Sequence, residues 1–316
     1  MHTAAENIWQ AVQAACIAQG GASQSAGSAQ LWAERLAHFS VEVLPSIDST
    51  NTELMRRAHA GRTEPTLLVA LQQSAGRGRL GRQWHSLAGD SLTFSLGIAL
   101  APQDWQGLSL ALGLAVAQAL HADIAIKWPN DLWWQGRKLA GILVETASMD
   151  ALVHASVPVP VPAWAQGAAR YCVIGIGINL RTPPADGLRT PPVGLDALAA
   201  ALGAAAPDPA APQTLAFPAA TPRTAAQTLE AIALPLLRAV LAFEQLGFAP
   251  FQADYNARDA LRGTQVLAEQ ANAAKAPIEG VARGVDRVGA LLVHTAFGVE
   301  KISSAEVSIR PAPVPT

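Results

Sequence analysis

Residues 72–86 combine glycines with arginines in a spacing that suits the binding of an anion. The two residue types interleave as Gly76, Arg77, Gly78, Arg79, Gly81 and Arg82. Glycine is used where a backbone takes positive φ or lies close to a ligand, and each guanidinium is a charged planar fork for phosphate or carboxylate. The pattern predicts an anion-binding loop that stays mobile until a ligand neutralises its charge. On this loop alone, an RNA-binding Arg-Gly segment or an ordinary turn remains open.

Two apolar runs flank the loop. Residues 67–71 are typical of a buried strand, and residues 91–96 alternate as a half-buried strand does. We therefore expect the loop to connect two strands of a sheet. Ordering such a loop costs about 1–2 kcal/mol per residue, so contacts with the ligand must hold it closed.

A second polar cluster precedes a predicted helix. Ser49, Thr50 and Asn51 stand directly before the apolar positions of that helix. Thr50 with Glu53 three residues later fits a capping box, which is a complete structural explanation. A helix N-terminus also presents N–H groups, and hydroxyl and amide side chains beside it can pair with a polar ligand. Both interpretations remain open at this point.

Two further strand ends carry polar groups. Pro129 interrupts an apolar run, which places Lys127 at a strand end and Asn130 and Asp131 in the turn that follows. A surface lysine before an ordinary turn is the simpler alternative. Residues 173–180 carry glycine at alternate positions, Gly175 and Gly177, so one face of that strand is bare and a flat ligand or another backbone can approach it. Asn179 would lie at the edge of that face.

Composition excludes several classes of protein. The chain has 316 residues, 50% of them hydrophobic, and a net charge of −2, so we expect a globular protein without the basic field that holds nucleic acid. The N-terminus lacks the pattern of a signal peptide, and the apolar window at residues 108–120 is too short to span a bilayer. Cys16 and Cys172 have neither metal-type spacing nor a disulfide framework. These features predict a cytoplasmic protein that binds neither DNA nor membrane.

The chain divides into three predicted regions. Residues 1–40 form a helical extension, residues 41–257 a large domain that holds the polar clusters described above, and residues 258–316 a small β-barrel made of short strands. Two Ala/Pro-rich stretches, near 157–169 and at 181–224, have little content that would pack. We interpret them as surface insertions that are partly disordered.

Five segments together resemble the biotin protein ligases in order and spacing. They are residues 48–51, 73–79, 127–131, 138–143 and 175–179, and residues 283–289 and 306–310 resemble that family's SH3-like C-terminal domain. The resemblance implies an α+β fold: a mixed central sheet with helices, as in class II synthetase-like biotin/lipoate ligases, plus a small SH3-like barrel. Residues 1–40 do not resemble the family's winged-helix repressor domain, which predicts a monofunctional ligase.

The resemblance also implies an activity. The chain would use ATP to activate biotin as biotinyl-5'-AMP, with Mg²⁺ as the metal, and would transfer biotin to a lysine of a biotin carboxyl carrier protein, releasing AMP. It would act as a monomer or weak homodimer. A lipoate or octanoate ligase or transferase and a non-enzymatic biotin-sensing module are the alternatives. Gln73 and the Ser49-Thr50 pair favour a polar bicyclic ring over an aliphatic tail.

Site residues follow from the same resemblance. Lys127 and Arg79 would be catalytic, and Asn130 and Asp131 would help to place Mg²⁺. The implied biotin-binding residues are Ser49, Thr50, Asn51, Gln73, Gly76, Arg77, Gly78, Arg79, Lys127 and Gly141. The implied ATP and adenylate residues are Arg77, Arg79, Arg82, Trp84, Lys127, Asn130, Asp131, Asn179 and Arg283, the last reaching the nucleotide from the small domain. Two positions depart from the family pattern: Leu80 replaces a frequent arginine, and Ala305 replaces a frequent glycine.

Overall fold

The computed structural model describes residues 3–10, 39–149, 169–185, 187, 190–204, 223–270, 276–303 and 307–311. Its helices are α1 (3–10), α2 (Thr50–His59), α3 (Leu108–Leu120), α4 (Leu195–Ala204), α5 (Ala225–Leu246) and α6 (Gln252–Ala257). Its strands are β1 (Ser40–Leu44), β2 (Thr66–Ala70), β3 (Ser91–Leu100), β4 (Ala125–Lys127), β5 (Asp131–Trp134), β6 (Arg137–Ser148), β7 (Arg170–Asn179), β8 (Gln265–Gln270), β9 (Ile278–Val285), β10 (Leu291–Thr295), β11 (Gly298–Ile302) and β12 (Val307–Pro311).

The first seven strands form one mixed sheet in the order β1-β2-β3-β7-β6-β5-β4. β1 and β2 are parallel, and the other neighbours are antiparallel. The prediction of a half-buried strand at 91–96 is wrong, because every residue of β3 is buried. Its apolar side chains pack in the main core with α3 and α5, while α2 covers the other face. The mixed central sheet with helices is confirmed.

Helix α5 is the one helix in the described ranges that is long and apolar enough to cross a membrane. Half of its most apolar window is buried, and it packs against α3 and β3. A core helix of a globular protein has this same length and composition. Thr224 caps it through a reciprocal capping box with Gln227.

Helix α4 corrects the interpretation of residues 181–224 as a surface insertion. Val193, Leu195 and Leu198 are at most 2% exposed and belong to the main core. Lys138 N–H donates to Pro191 O at 2.9 Å, and Val193 N–H donates to Lys138 O at 2.9 Å, so this segment extends the sheet beside β6. Although the segment is rich in Ala and Pro on average, these three apolar side chains are enough to pack it into the core. Residues 205–222, and residues 157–168 of the other predicted insertion, lie outside the described residues.

The last five strands form a second, antiparallel sheet in the order β11-β10-β9-β8-β12. The expected short strands are thus present, each five to eight residues long. β11 lies at an edge and is exposed over four of its five residues, so it lacks the apolar alternation that marks a strand. Within the predicted N-terminal extension, Ala5 and Trp9 are buried in the main core.

Hydrogen bonds and close backbone packing join the large domain to the small domain and to the linker before it, residues 258–264. Trp128 is fully buried, and its Nε1 donates to Gly289 O at 3.1 Å. Gly289 has φ +87, and a Cβ there would stand 2.8 Å from the Cα of Gly107. In the linker, Ile126 N–H donates to Arg258 O at 2.8 Å, and Ala260 N–H donates to Ile126 O at 3.0 Å. The linker therefore adds backbone pairing to the outer edge of β4.

Candidate active site

The register of β6, β7 and β3 builds the floor of a pocket on the α2 side of the sheet. Residues opposite one another in the ladders share a face, and this alignment creates two neighbouring rows. One row is Leu143, Gly175 and Ser95, and the next is Gly141, Gly177 and Thr93. Because glycine stands at the centre of each row, other groups can lie directly on the sheet there.

Both central glycines are covered by side chains of this chain. A Cβ on Gly175 would stand 2.0 Å from Asn51 Oδ1, and a Cβ on Gly177 would stand 2.4 Å from Trp84 Cε2. The sequence predicted that a flat ligand or a backbone would approach this face. The structure instead places an amide and an indole there, and both belong to residues predicted for the site.

The helix next to this floor begins one residue earlier than the predicted capping box requires. Ser49 is the N-cap, with φ −159 and ψ 133, and its side chain accepts from Thr52 N–H. The Thr50–Glu53 capping box is therefore wrong. Thr50 turns its hydroxyl towards Gln73, and Glu53 pairs with Arg57 at 2.8 Å.

Contacts from Thr50 fix the amide of Gln73. Gln73 Oε1 accepts from Thr50 N–H at 2.8 Å and lies 3.1 Å from Thr50 Oγ1. Gln73 Nε2 lies against Gly76, where a Cβ would be 2.8 Å away. Among the described residues Nε2 has no acceptor, so Gln73 keeps an N–H donor whose orientation is set by the contacts of Oε1.

Ser95 and Glu145 complete this polar group, although the sequence did not identify them. Ser95 Oγ lies 2.7 Å from Thr50 Oγ1 and 2.6 Å from Asn51 Oδ1. Glu145 accepts from Asn51 Nδ2 at 2.9 Å and from Arg77 Nη2 at 3.1 Å. For Ser95 a signal existed, because hydroxyl residues alternate with apolar ones along β3. Glu145 gave none, since its partners are distant in sequence.

Residues 73–86, which we call the flap, form a folded hairpin. Trp84 N–H donates to Gly76 O at 2.9 Å, and Gly78 N–H donates to Arg82 O at 2.7 Å. At its tip Leu80 takes φ 55 and is 51% exposed, so the departure from arginine places an apolar side chain in solvent. The second arm is fixed by Ser86, whose Oγ lies 3.0 Å from Thr93 Oγ1. Mobility of the flap before ligand binding stays a prediction.

Cationic side chains gather at the end of the floor beyond Gly141. Lys127 ends β4 opposite Asp131, and its Nζ lies 5.2 Å from the centre of the Trp133 ring. Lys138 Nζ lies 2.7 Å from Asp131 Oδ1 and 5.9 Å from the centre of the Trp84 ring. Burial lowers the pKa of Arg79, and the charge of Asp131 opposes that shift. Lys127, Lys138 and Arg79 thus bring positive charge to the end of the floor where Asp131 lies, which favours an anion there. The sequence analysis did not identify Lys138 as a residue of this cationic group.

The two asparagines predicted at this end are held by backbone carbonyls. Asn130 Nδ2 donates to Ile142 O at 2.8 Å. Asn179 Nδ2 donates to Lys138 O at 3.3 Å and to Val193 O at 3.1 Å. Within the described ranges neither Oδ1 accepts a hydrogen bond, so each carbonyl oxygen can accept one from a ligand.

The donor set does not fit a preformed Mg²⁺ site. Mg²⁺ is held by carboxylates and substrate phosphates, and the Asp131 carboxylate is already paired with Lys138. The described residues contain no group of three or more His, Cys, Asp or Glu that could hold a metal ion. The prediction that Asn130 and Asp131 help to place Mg²⁺ is untested, and the contacts of these two side chains argue against it.

The remaining predicted residues fall in different places. Gly141 lies on the floor, where a Cβ would be 3.4 Å from Lys138 Nζ. Arg82 is exposed on the flap, and its carbonyl closes the flap hairpin. Arg283 is exposed on β9, and within the described ranges no hydrogen bond or ion pair joins it to the pocket.

Comparison with known proteins agrees with this geometry. The model of the biotin/lipoate A/B protein ligase family matches residues 43–161, and that of the biotin protein ligase C-terminal domain matches residues 272–310. The bifunctional ligase/repressor BirA of Escherichia coli is 32% identical over 289 residues, which cover 86% of this chain and 75% of that protein. The biotin–[acetyl-CoA-carboxylase] ligase of Mycobacterium tuberculosis is 30% identical over 279 residues, covering 84% of this chain and 88% of that protein.

A solved structure has the same fold. The biotin protein ligase from Aquifex aeolicus in complex with biotin and ATP aligns with a TM-score of 0.63 at 24% identity, covering 86% of this chain and 99% of that chain. The predicted fold, including the small C-terminal domain, is thereby confirmed. From these matches, the chain belongs to the biotin protein ligases of the biotin/lipoate A/B protein ligase family.

Proposed function

We propose that this chain is an ATP-dependent biotin protein ligase, which forms biotinyl-5'-AMP and transfers biotin to a lysine of a biotin carboxyl carrier protein. The names of its relatives support this proposal. The observation that carries it is the layout of the floor, which has hydroxyl and amide groups beside a paired carboxylate at one end and cations at the other. Gly175 and Asn179 are four residues apart on β7, or about 13 Å at roughly 3.3 Å per residue. A ligand with a polar ring and an acidic tail fits this arrangement.

At the polar end, the donors match the ureido ring of biotin. Gln73 Nε2 donates to the ureido carbonyl, because Thr50 already occupies Gln73 Oε1. Ser49 is 3% exposed, and its Oγ accepts from Thr52 N–H at 3.4 Å, so its O–H is the donor that it offers to the ring. A lipoyl or octanoyl chain has no carbonyl to place there, so these donors would be left without partners.

At the cationic end, the tail carboxylate attacks the α-phosphorus of ATP. The new bond joins a carboxylate oxygen to phosphorus as the bond to pyrophosphate breaks, and negative charge builds on the phosphoryl oxygens. Arg79 and Lys127 stabilise that charge, and partial burial strengthens their effect. Mg²⁺ would arrive with the nucleotide phosphates, and no step here depends on it.

In the second step, the amine of the carrier lysine attacks the acyl carbon of the mixed anhydride and AMP leaves. The anhydride is sensitive to hydrolysis, so a closed flap protects it from water. Trp84 and the Asn179 carbonyl oxygen border the adenine in this proposal, and Arg283 approaches it only if the small domain moves. We further propose a cytoplasmic monomer or weak homodimer that does not bind DNA.

Biotin-dependent exchange of pyrophosphate into ATP tests the activation step. Lys127→Ala and Arg79→Ala should each raise the barrier by about 2–4 kcal/mol, since each removes a fixed charge aimed at the transition state. Lys301→Ala is the matched control, because Lys301 pairs with Asp286 at 3.1 Å in the small domain. Near-normal exchange in either pocket variant would remove that residue from its role.

Two outcomes would replace the proposal as a whole. Label transfer from lipoate but not from biotin would identify a lipoate ligase. Binding of biotin without any exchange would identify a binding module.

A further inference from the structure

Glu145 joins two segments that the proposed function places around biotin. Its Oε2 accepts from Asn51 Nδ2 at 2.9 Å, and its Oε1 accepts from Arg77 Nη2 at 3.1 Å. Its side chain is 23% exposed and that of Arg77 48%, so the ion pair lies at the rim with the carboxylate on the inner side. A carboxylate satisfies two donors at once because both of its oxygens accept.

Glu145 also selects the orientation of the Asn51 amide. With Nδ2 directed at Glu145, Oδ1 faces Ser95 Oγ at 2.6 Å. The absence of a side chain at Gly175 provides the room, since a Cβ there would stand 2.0 Å from Oδ1. If the amide were reversed, its oxygen would face the carboxylate and the two acceptors would repel each other.

The same hydrogen bonds lead back to the flap. Ser95 contacts Thr50, and Thr50 holds Gln73, the first residue of the flap. Gln73 and Arg77 lie on one arm of the flap, so Thr50 and Glu145 hold that arm at two points. The arm that carries the proposed ureido donor is fixed at its far end through Arg77.

We propose that Glu145 is a positioning residue for biotin, which sets the first arm of the flap and the Asn51 amide without touching biotin or ATP. This inference rests on the proposed function. Loss of the carboxylate would weaken biotin binding and speed the escape of the adenylate. The rate of adenylyl transfer to the biotin carboxylate, whose transition state Arg79 and Lys127 stabilise, would be unchanged.

Glu145→Gln tests the role, because an amide has one acceptor and cannot satisfy both donors. In pyrophosphate exchange, the KM for biotin should rise about ten-fold or more, as for loss of a charged hydrogen bond, while kcat is unchanged. Release of labelled biotinyl-adenylate should accelerate by a similar factor. The matched control is Glu42→Gln. Glu42 lies on β1, and its Oε1 is 2.6 Å from Arg57 Nη1 on α2, so this variant also removes a carboxylate from an ion pair. It should leave the KM for biotin unchanged.

A double-mutant cycle separates this role from a general loss of stability. Arg77→Ala should also raise the KM for biotin, and adding Glu145→Gln should raise it by much less than in the wild-type background. An unchanged KM in Glu145→Gln, a loss confined to kcat, or fully multiplicative effects would overturn the proposal. If Glu145→Gln does not fold, Arg77→Ala alone tests the proposal. An unchanged KM for biotin in Arg77→Ala would overturn the proposal that the Glu145–Arg77 ion pair positions the flap. Absence of biotin-dependent exchange in the wild-type chain would refute the proposed function instead.

Discussion

Asp259 is a carboxyl group whose burial should make the stability of this protein depend on pH. Burial raises its pKa from 3.8 to about 6, and the hydrogen bond from Leu261 N–H and the charge of Arg262 only partly oppose the shift. Its Oδ2 is buried without a hydrogen-bond partner among the described residues. The folded state therefore binds a proton at Asp259 more tightly than the unfolded state does.

The sign and size of the effect follow from this shift. A carboxyl with a raised pKa contributes fully to stability below its unfolded value, and that contribution is lost as the pH rises through about 6. The difference between a pKa of 3.8 and one of about 6 corresponds to about 3 kcal/mol, since a tenfold change in proton affinity is worth about 1.4 kcal/mol. Asp259→Asn keeps an oxygen to accept from Leu261 N–H and removes the charge. The variant should therefore exceed the wild type by about 3 kcal/mol near pH 8 and match it near pH 4.

Urea unfolding followed by circular dichroism across this pH range measures the difference in free energy. Asp254→Asn is the control, because Asp254 is exposed and lies on α6 only five residues before Asp259. A gain that is the same at every pH, or that grows towards acid, would refute the argument. It would mean that the charge of Asp259 is not what burial penalises.

Two glycine substitutions test the packing around the pocket and at the domain contact. Gly177→Ala should cost about 1–3 kcal/mol of unfolding free energy, because the added Cβ would meet the Trp84 ring; the cost should largely vanish in a Trp84→Ala background, and persistence there would contradict the contact. Gly289→Ala should cost about 1–3 kcal/mol, because φ is +87 and backbone blocks the Cβ. Its control, Gly113→Ala in α3, has no neighbour closer than 3.5 Å and should stabilise by roughly 0.5–1 kcal/mol, and equal effects in the two variants would contradict the reasoning.

Local patterns were enough for much of the fold and for part of the site. Pro129 predicted that Lys127 ends a strand, and alternate glycines predicted the bare face of β7, because both effects act on the backbone within a few residues. The glycines and arginines of the flap likewise predicted an irregular segment between two strands. Those features need no knowledge of distant partners.

The features that were missed depend on contacts between distant segments. Helix α2 begins after Ser49 because Thr50 is held by Gln73, 23 residues away, and a capping pattern alone does not contain that contact. Glu145 became visible only when the sheet placed it beside Asn51 and Arg77. In α4, the Ala/Pro-rich average concealed the few leucines that reach the core.

The pairing of the linker with β4 has a consequence for how this enzyme can be divided. A chain cut after residue 257 would strip the backbone partners from Ile126, which precedes Lys127, and would leave the indole N–H of Trp128 without the carbonyl of Gly289. The strand that ends at Lys127 is thus completed by residues that follow the large domain in the chain. Attempts to obtain a minimal ligase by deleting the small domain should disable catalysis even where the pocket residues are all retained.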